Sequence, residues 1–162
     1  MKRKLRRHRV LCTCTFLWVC FIWSNSLRSA SESGEASGGV AALINRILEL
    51  LSIGSVSEHF VRKAAHFSEF AVLGLLLALS LLPLNLRFKG ILAVAASLSV
   101  ACVDELLQIL SEGRSCELLD VIIDISGAVL GILAVFWVFW SKNQSVGFQD
   151  DKQIIPQSLS GL

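Results

Sequence analysis

The sequence predicts an all-α membrane protein: four transmembrane helices, with a short amphipathic outer helix between the first and second. Three observations predict it. The 162-residue chain is 54% hydrophobic, with a mean hydropathy of +0.65. That is too apolar to coat a domain of this size with a water-facing shell. The apolar residues gather in runs at 10–27, 65–84, 90–110 and 118–140, each roughly 18–23 residues and long enough to cross a bilayer as helix. The basic residues, finally, alternate sides with those runs. Lys2, Arg3, Lys4, Arg6, Arg7 and Arg9 precede the first; Arg87 and Lys89 lie between the second and third; Lys142 and Lys152 follow the fourth.

Four crossings put all three basic segments on one side, which the positive-inside rule makes cytoplasmic. The expectation is a multi-pass protein of the cell membrane with both termini in the cytoplasm. Only Asp150 and Asp151 join the bases there; the other acids fall outside or in the outer half of a span, a split hidden by the net charge of +2. The basic N-terminus therefore reads as a topology signal, and nucleic acid is excluded as a partner. Membrane lipid is the expected surrounding and partner. The polar remainder is too small for a second domain, so the organisation is a basic N-terminus at 1–9, one transmembrane domain at 10–140 with an outer loop at 28–60, and a disordered cytoplasmic tail at 141–162.

The elements follow in order. Residues 1–23 have the basic-then-apolar form of a signal peptide, with Ser24-Asn25-Ser26 as a tolerable cleavage site. The length of the run, with Trp18 inside it and Trp23 at its outer end, favours a retained helix. Residues 28–39 are rich in Ser, Gly and Glu and read as a flexible loop. Val40, Leu43, Ile44, Ile47, Leu48 and Leu51 keep helical spacing opposite Asn45, Arg46 and Glu49, too short to span and suited to the outer surface or to capping the bundle. Ser55-Val56-Ser57-Glu58 fits a capping box that starts a helix near Val56 and runs into the second span. Pro83 and Asn85 end that span. Gly127 and Gly131 form a GxxxG pattern that permits close helix approach. The five cysteines form no disulfide framework: Cys12, Cys14, Cys20 and Cys102 lie in spans and Cys116 alone in an outer loop.

Polar residues inside the spans are the candidate site. Arg62, Lys63, His66 and Glu69 enter the second span, with Arg62, His66 and Glu69 on one stripe. Asp104, Glu105 and Gln108 close the third. Arg114 lies in the next loop, and Asp120 and Asp124 open the fourth. At about 1.5 Å rise per residue the three sets fall within roughly 10 Å of the same outer boundary. A central charge costs roughly 2.5–3.5 kcal/mol even on insertion scales, so these groups must satisfy one another. A purely structural network, with pairs such as Lys63–Glu69 or Arg114–Asp120, is the plainer reading. The excess of acids over bases favours an outward-facing pocket instead. His66-x-x-Glu69 occurs once, where a di-iron bundle needs two such pairs, and one well-placed histidine serves zinc poorly. No metal and no cofactor are therefore assigned, although the acids suit a hard cation.

Arg62-Lys63-Ala-Ala-His66-Phe67-Ser-Glu69-Phe70 with Leu73-Gly74, then Asp104-Glu105-Leu-Leu-Gln108, Gly113-Arg114, Asp120 and Gly127 resemble the signatures of the VanZ-like family. Ser24-Asn25-Ser26 and the loop after it resemble its opening. Glu112 stands where the family often has proline, and Asp124 where asparagine is usual. The resemblance implies a multi-pass envelope protein and, through the family's namesake, low-level resistance to teicoplanin-type glycopeptides. Two functions follow. One is non-enzymatic binding of a headgroup, cell-wall precursor or antibiotic, with Arg62, Lys63 and Arg114 holding phosphate or carboxylate. The other is an intramembrane enzyme acting on an envelope lipid or glycan, with His66 and Glu69 as an acid–base pair and Asp104 a further catalytic candidate.

Overall fold

The computed structural model describes residues 2–52 and 54–153. The described residues are helical with no strand: α1 Lys2–Ser26, α2 Ala30–Leu50, α3 Glu58–Leu81, α4 Lys89–Ile109 and α5 Leu118–Gln153. The main departure from expectation is α2. Residues 30–39 are not a flexible loop but the first half of a 21-residue helix. Ser29 caps it: the side chain accepts from the Glu32 amide, and Glu32 Oε2 accepts from the Ser29 amide at 3.0 Å. This reciprocal box satisfies donors that otherwise have no intrahelical partner. It outweighs the poor helix propensity of Gly34, Gly38 and Gly39.

The start of α3 also moves. Ser57, not Ser55, is the cap, accepting from the Phe60 amide at 3.2 Å. Val56 is held outside the helix by Asn45, whose amide side chain bonds the Val56 N–H at 2.7 Å and its carbonyl at 3.0 Å. The α2–α3 connection is thereby pinned at both ends of one side chain. At the other end of the chain, α5 runs past Trp140 to Gln153, into the segment expected as a tail. Residues 154–162 of that tail lie outside the described residues.

Packing centres on α3 and α5, which run parallel along a seam of small residues. A Cβ on Gly127 would collide with the Phe67 carbonyl, one on Gly131 with the Ala71 carbonyl, and one on Gly74 with the Ala128 carbonyl. The two backbones are in contact because these side chains are absent, which is what a GxxxG pattern permits. α1 runs antiparallel to α3. Trp18 Nε1 donates to the Glu69 carbonyl at 2.9 Å, and Thr15 Oγ1 lies 3.3 Å from Ser80 Oγ. Ile22, Phe70, Leu73, Ala101 and Ala128 form the buried junction of α1, α3, α4 and α5.

The distribution of polarity is inverted relative to a water-soluble bundle. Asp104 and Asp124 are 0% exposed, whereas Ile91 is 68% and Trp137 72% exposed. Apolar surface on this scale suits hydrocarbon rather than water. α3, α4 and Leu118–Ser141 of α5 are each long and apolar enough to cross a bilayer. A fourth crossing is reached when Leu5–Ser26 and Ala30–Leu50, which meet at a 106° bend, are counted as one broken span. The protein is an all-α membrane protein with three to four spanning helices. Val40, Leu43 and Ile47 of α2 stay exposed, so its apolar stripe is not consumed by capping the bundle.

Candidate functional site

The polar edges of α3, α4 and α5 meet at one end of the bundle, beneath α2 and the α4–α5 loop. On α3, Lys63 Nζ donates to Asp120 Oδ1 at 2.6 Å, with Glu117 Oε2 at 3.9 Å. The expected pairs Lys63–Glu69 and Arg114–Asp120 are not formed: α3 and α5 run parallel in register, so Lys63 faces the first turn of α5. Arg62 Nη2 donates to Glu58 Oε1 at 2.8 Å, four residues earlier on α3. Glu69 accepts from Asn25 Nδ2 at 2.9 Å. His66 Nδ1 stands 3.8 Å from Asp124 Oδ1. Glu69 thus bonds Asn25, while His66 faces Asp124, and no hydrogen bond joins His66 to Glu69 among the described residues.

α4 supplies the floor. Asp104, Glu105 and Gln108 are all buried, and their spacing of three and four puts them on one face. Asp104 Oδ1 accepts from Ser26 Oγ at 2.6 Å and Oδ2 from Gln108 Nε2 at 3.3 Å. The same Gln108 nitrogen donates to Glu105 Oε1 at 2.9 Å, and Glu105 Oε2 accepts from the Glu117 amide at 2.9 Å. Asp124 differs. It is fully buried, and neither carboxylate oxygen has a hydrogen-bond partner; His66 Nδ1 and Arg62 Nε are likewise buried and unpartnered. Such groups are rare because each forfeits hydration without replacement.

Two clefts open above this floor. One, of about 230 Å³, is lined by Asn25, Arg28, Arg62, His66, Glu69 and Arg114 among others. The second, of about 200 Å³, takes in Lys63, Gln108 and Asp120 and shares Arg62, His66 and Arg114 with the first. Those three side chains form the wall between them. Arg114 makes no ion pair among the described residues. Burial, and then the neighbouring Arg62, lower its pKa from the ordinary guanidinium value, yet an arginine stays charged. A third, apolar groove of about 330 Å³ runs between α2 and α3 over Ile44, Phe60 and Ala64. It shares Val40, Val61 and Ala65 with the first cleft, so the charged side chains of that cleft stand next to an oily groove.

A family model described as VanZ/LLP1 matches residues 11–140. The chain belongs to the VanZ/LLP1 family. Comparison with curated proteins and with solved structures gave no match. The VanZ/LLP1 stretch contains every cleft-lining and floor residue named above, as well as the glycine seam. Of the residues expected at the site, Arg62, Lys63, His66, Glu69, Gln108, Arg114 and Asp120 line the clefts. Asp104, Glu105 and Asp124 lie behind them, buried. Contributors missed by the sequence reading are Asn25 and Ser26, which bond Glu69 and Asp104, and Glu117. Two amide- or hydroxyl-bearing residues ending an apolar helix were the available signal for the first two.

Proposed function

We propose that this VanZ/LLP1 membrane protein sits in the cell envelope with its clefts facing outward. There it binds an amphiphile bearing an anionic headgroup: a lipid headgroup, a lipid-linked cell-wall precursor or a glycopeptide of the teicoplanin type. One observation carries the reading. A cleft lined in part by Arg114, which forms no ion pair among the described residues, shares a wall with an apolar groove. A charged head and a greasy tail can be accommodated side by side, and a guanidinium suits bidentate contact with phosphate or carboxylate. In an antibiotic-exposed cell such binding would contribute to glycopeptide resistance. The geometry favours binding over acid–base catalysis, because Glu69 is engaged by Asn25 rather than by His66.

Native mass spectrometry of the detergent-purified protein tests this, with phosphatidylglycerol, a polyprenyl phosphate and teicoplanin as separate probes and phosphatidylcholine as the neutral reference. Arg114→Gln should weaken the preferred anionic probe roughly ten- to a hundredfold, the loss of one charge-assisted contact worth roughly 1.5–3 kcal/mol. Equal retention of anionic and neutral probes by wild type and variant would defeat the reading.

A further inference from the structure

The carboxylate of Asp124 is buried with no hydrogen-bond partner among the described residues. The donor atoms of His66, Asp104 and Asp124 all lie within 4.8 Å of one another. They come from three different helices, and Asp104 and Asp124 are completely buried. Neither oxygen of Asp124 receives a hydrogen bond, and the His66 Nδ1 that faces it is also unpartnered. The nearest lysine does not serve this centre, being spent on Asp120. Among the described residues no cation pairs with either aspartate within 4 Å apart from the imidazole. Two carboxylates and one imidazole thus converge on a point that, among the described residues, no lysine or arginine reaches within ion-pair distance.

We propose that His66, Asp104 and Asp124 bind one divalent transition-metal ion of borderline hardness, in the class of Mn²⁺ and Zn²⁺. The donor set decides the class. One neutral imidazole nitrogen and two carboxylate oxygens suit such an ion better than Ca²⁺ or Mg²⁺, which take oxygen ligands alone. A double positive charge cancels the two aspartates. Bonds of about 2.0–2.2 Å bring adjacent ligands within roughly 3–3.5 Å of each other, so binding draws the three side chains inward by about an ångström. The surroundings supply what such a site uses. Ser26 and Gln108 donate to Asp104 and orient it, as outer partners of ligating carboxylates do. His66 lines both clefts, which gives the ion an entry path and leaves its remaining coordination positions facing the cleft. The site does not depend on the amphiphile reading, and the metal can be tested alone.

The experiment is calorimetric titration of tag-free, chelator-treated protein in detergent with Mn²⁺ and with Zn²⁺. The expected result is one high-affinity equivalent per chain, weakened at least tenfold by Asp124→Asn and unchanged by Glu112→Gln in the exposed loop. His66→Cys retains a donor and guards against misfolding of the aspartate variant. With Co²⁺ it should show a thiolate-to-cobalt absorption band that wild type lacks. Binding no tighter than that of Asp124→Asn, or a His66→Cys protein with no added thiolate band, would overturn the site.

Discussion

Replacing Gly131 by alanine tests the seam on which the whole site depends. The added Cβ would overlap the carbonyl oxygen of Ala71 and press on the Leu75 amide. Those are backbone atoms of a regular helix and cannot rotate aside, so α3 and α5 must part. Overpacking of this kind costs roughly 1–3 kcal/mol, with the rigid neighbours here placing it near about 3. Alanine recovers about 1 kcal/mol of helix propensity over glycine. The net loss is therefore about 2 kcal/mol, or roughly 4–8 °C in melting temperature for a protein of this size. Gly39→Ala is the matched control, since a Cβ there meets nothing within 4 Å; it should gain up to about 1 kcal/mol from the same propensity term. The assay is thermal unfolding in one detergent, followed by tryptophan fluorescence. A Gly131→Ala protein that melts at or above the wild-type temperature would refute backbone contact between the two helices.

Three further outcomes are expected. Ser29→Ala removes the α2 cap and should cost about 1 kcal/mol, visible as faster amide hydrogen exchange over residues 30–33; unchanged exchange there would count against the capping box. Lys63→Ala strips Asp120 of its counter-ion at a pair that is only 23% and 20% exposed. Its cost of roughly 1–2 kcal/mol lies between surface and fully buried pairs, and Lys63→Arg should recover most of it in the same melting assay. The Cys116 thiol titrates above its ordinary value, because it is partly desolvated and because the Glu105 carboxylate beside it disfavours the thiolate. Alkylation by a membrane-impermeant maleimide should therefore be slow at neutral pH and rise as pH passes the ordinary thiol range. Glu105→Gln should accelerate it at any fixed pH, and an unchanged rate would remove Glu105 from that surrounding. Labelling of intact cells, rather than only of lysed ones, is the outcome the outward orientation requires.

How far these features are legible in the sequence depends on whether a local pattern or a tertiary match creates them. The apolar runs behind α3, α4 and α5 are long and broken only near one end, so their existence follows from composition alone. The common depth of Lys63, Asp104 and Asp124 follows from helical rise, and the Gly127–Gly131 seam from spacing. The path of α2 does not. Ser, Gly and Glu between residues 28 and 39 have loop-like propensities, and the Ser29–Glu32 capping box that overrides them is a short pattern that composition masks. Partner choice is equally opaque to spacing. Lys63 finds Asp120 only because α3 and α5 run parallel in register, and Glu69 is taken by Asn25 from the far end of α1. The triad of His66, Asp104 and Asp124 has no sequence signature, since its members come from three helices and are separated by 38 and 20 positions. A single well-placed histidine argues against a metal; only the orphaned buried carboxylate argues for one.

Cross-linking of His66→Cys to Asp124→Cys by a short bifunctional thiol reagent, in a protein whose native cysteines are serine, tests most directly whether the polar edges of these helices share one centre. The 3.8 Å approach of the native side-chain tips predicts cross-linking in the membrane by a reagent that fills the gap left by the two shorter cysteine side chains. A folded double variant that never cross-links, while a pair across the Phe67–Gly127 contact does, would place His66 and Asp124 in separate surroundings and contradict a common site.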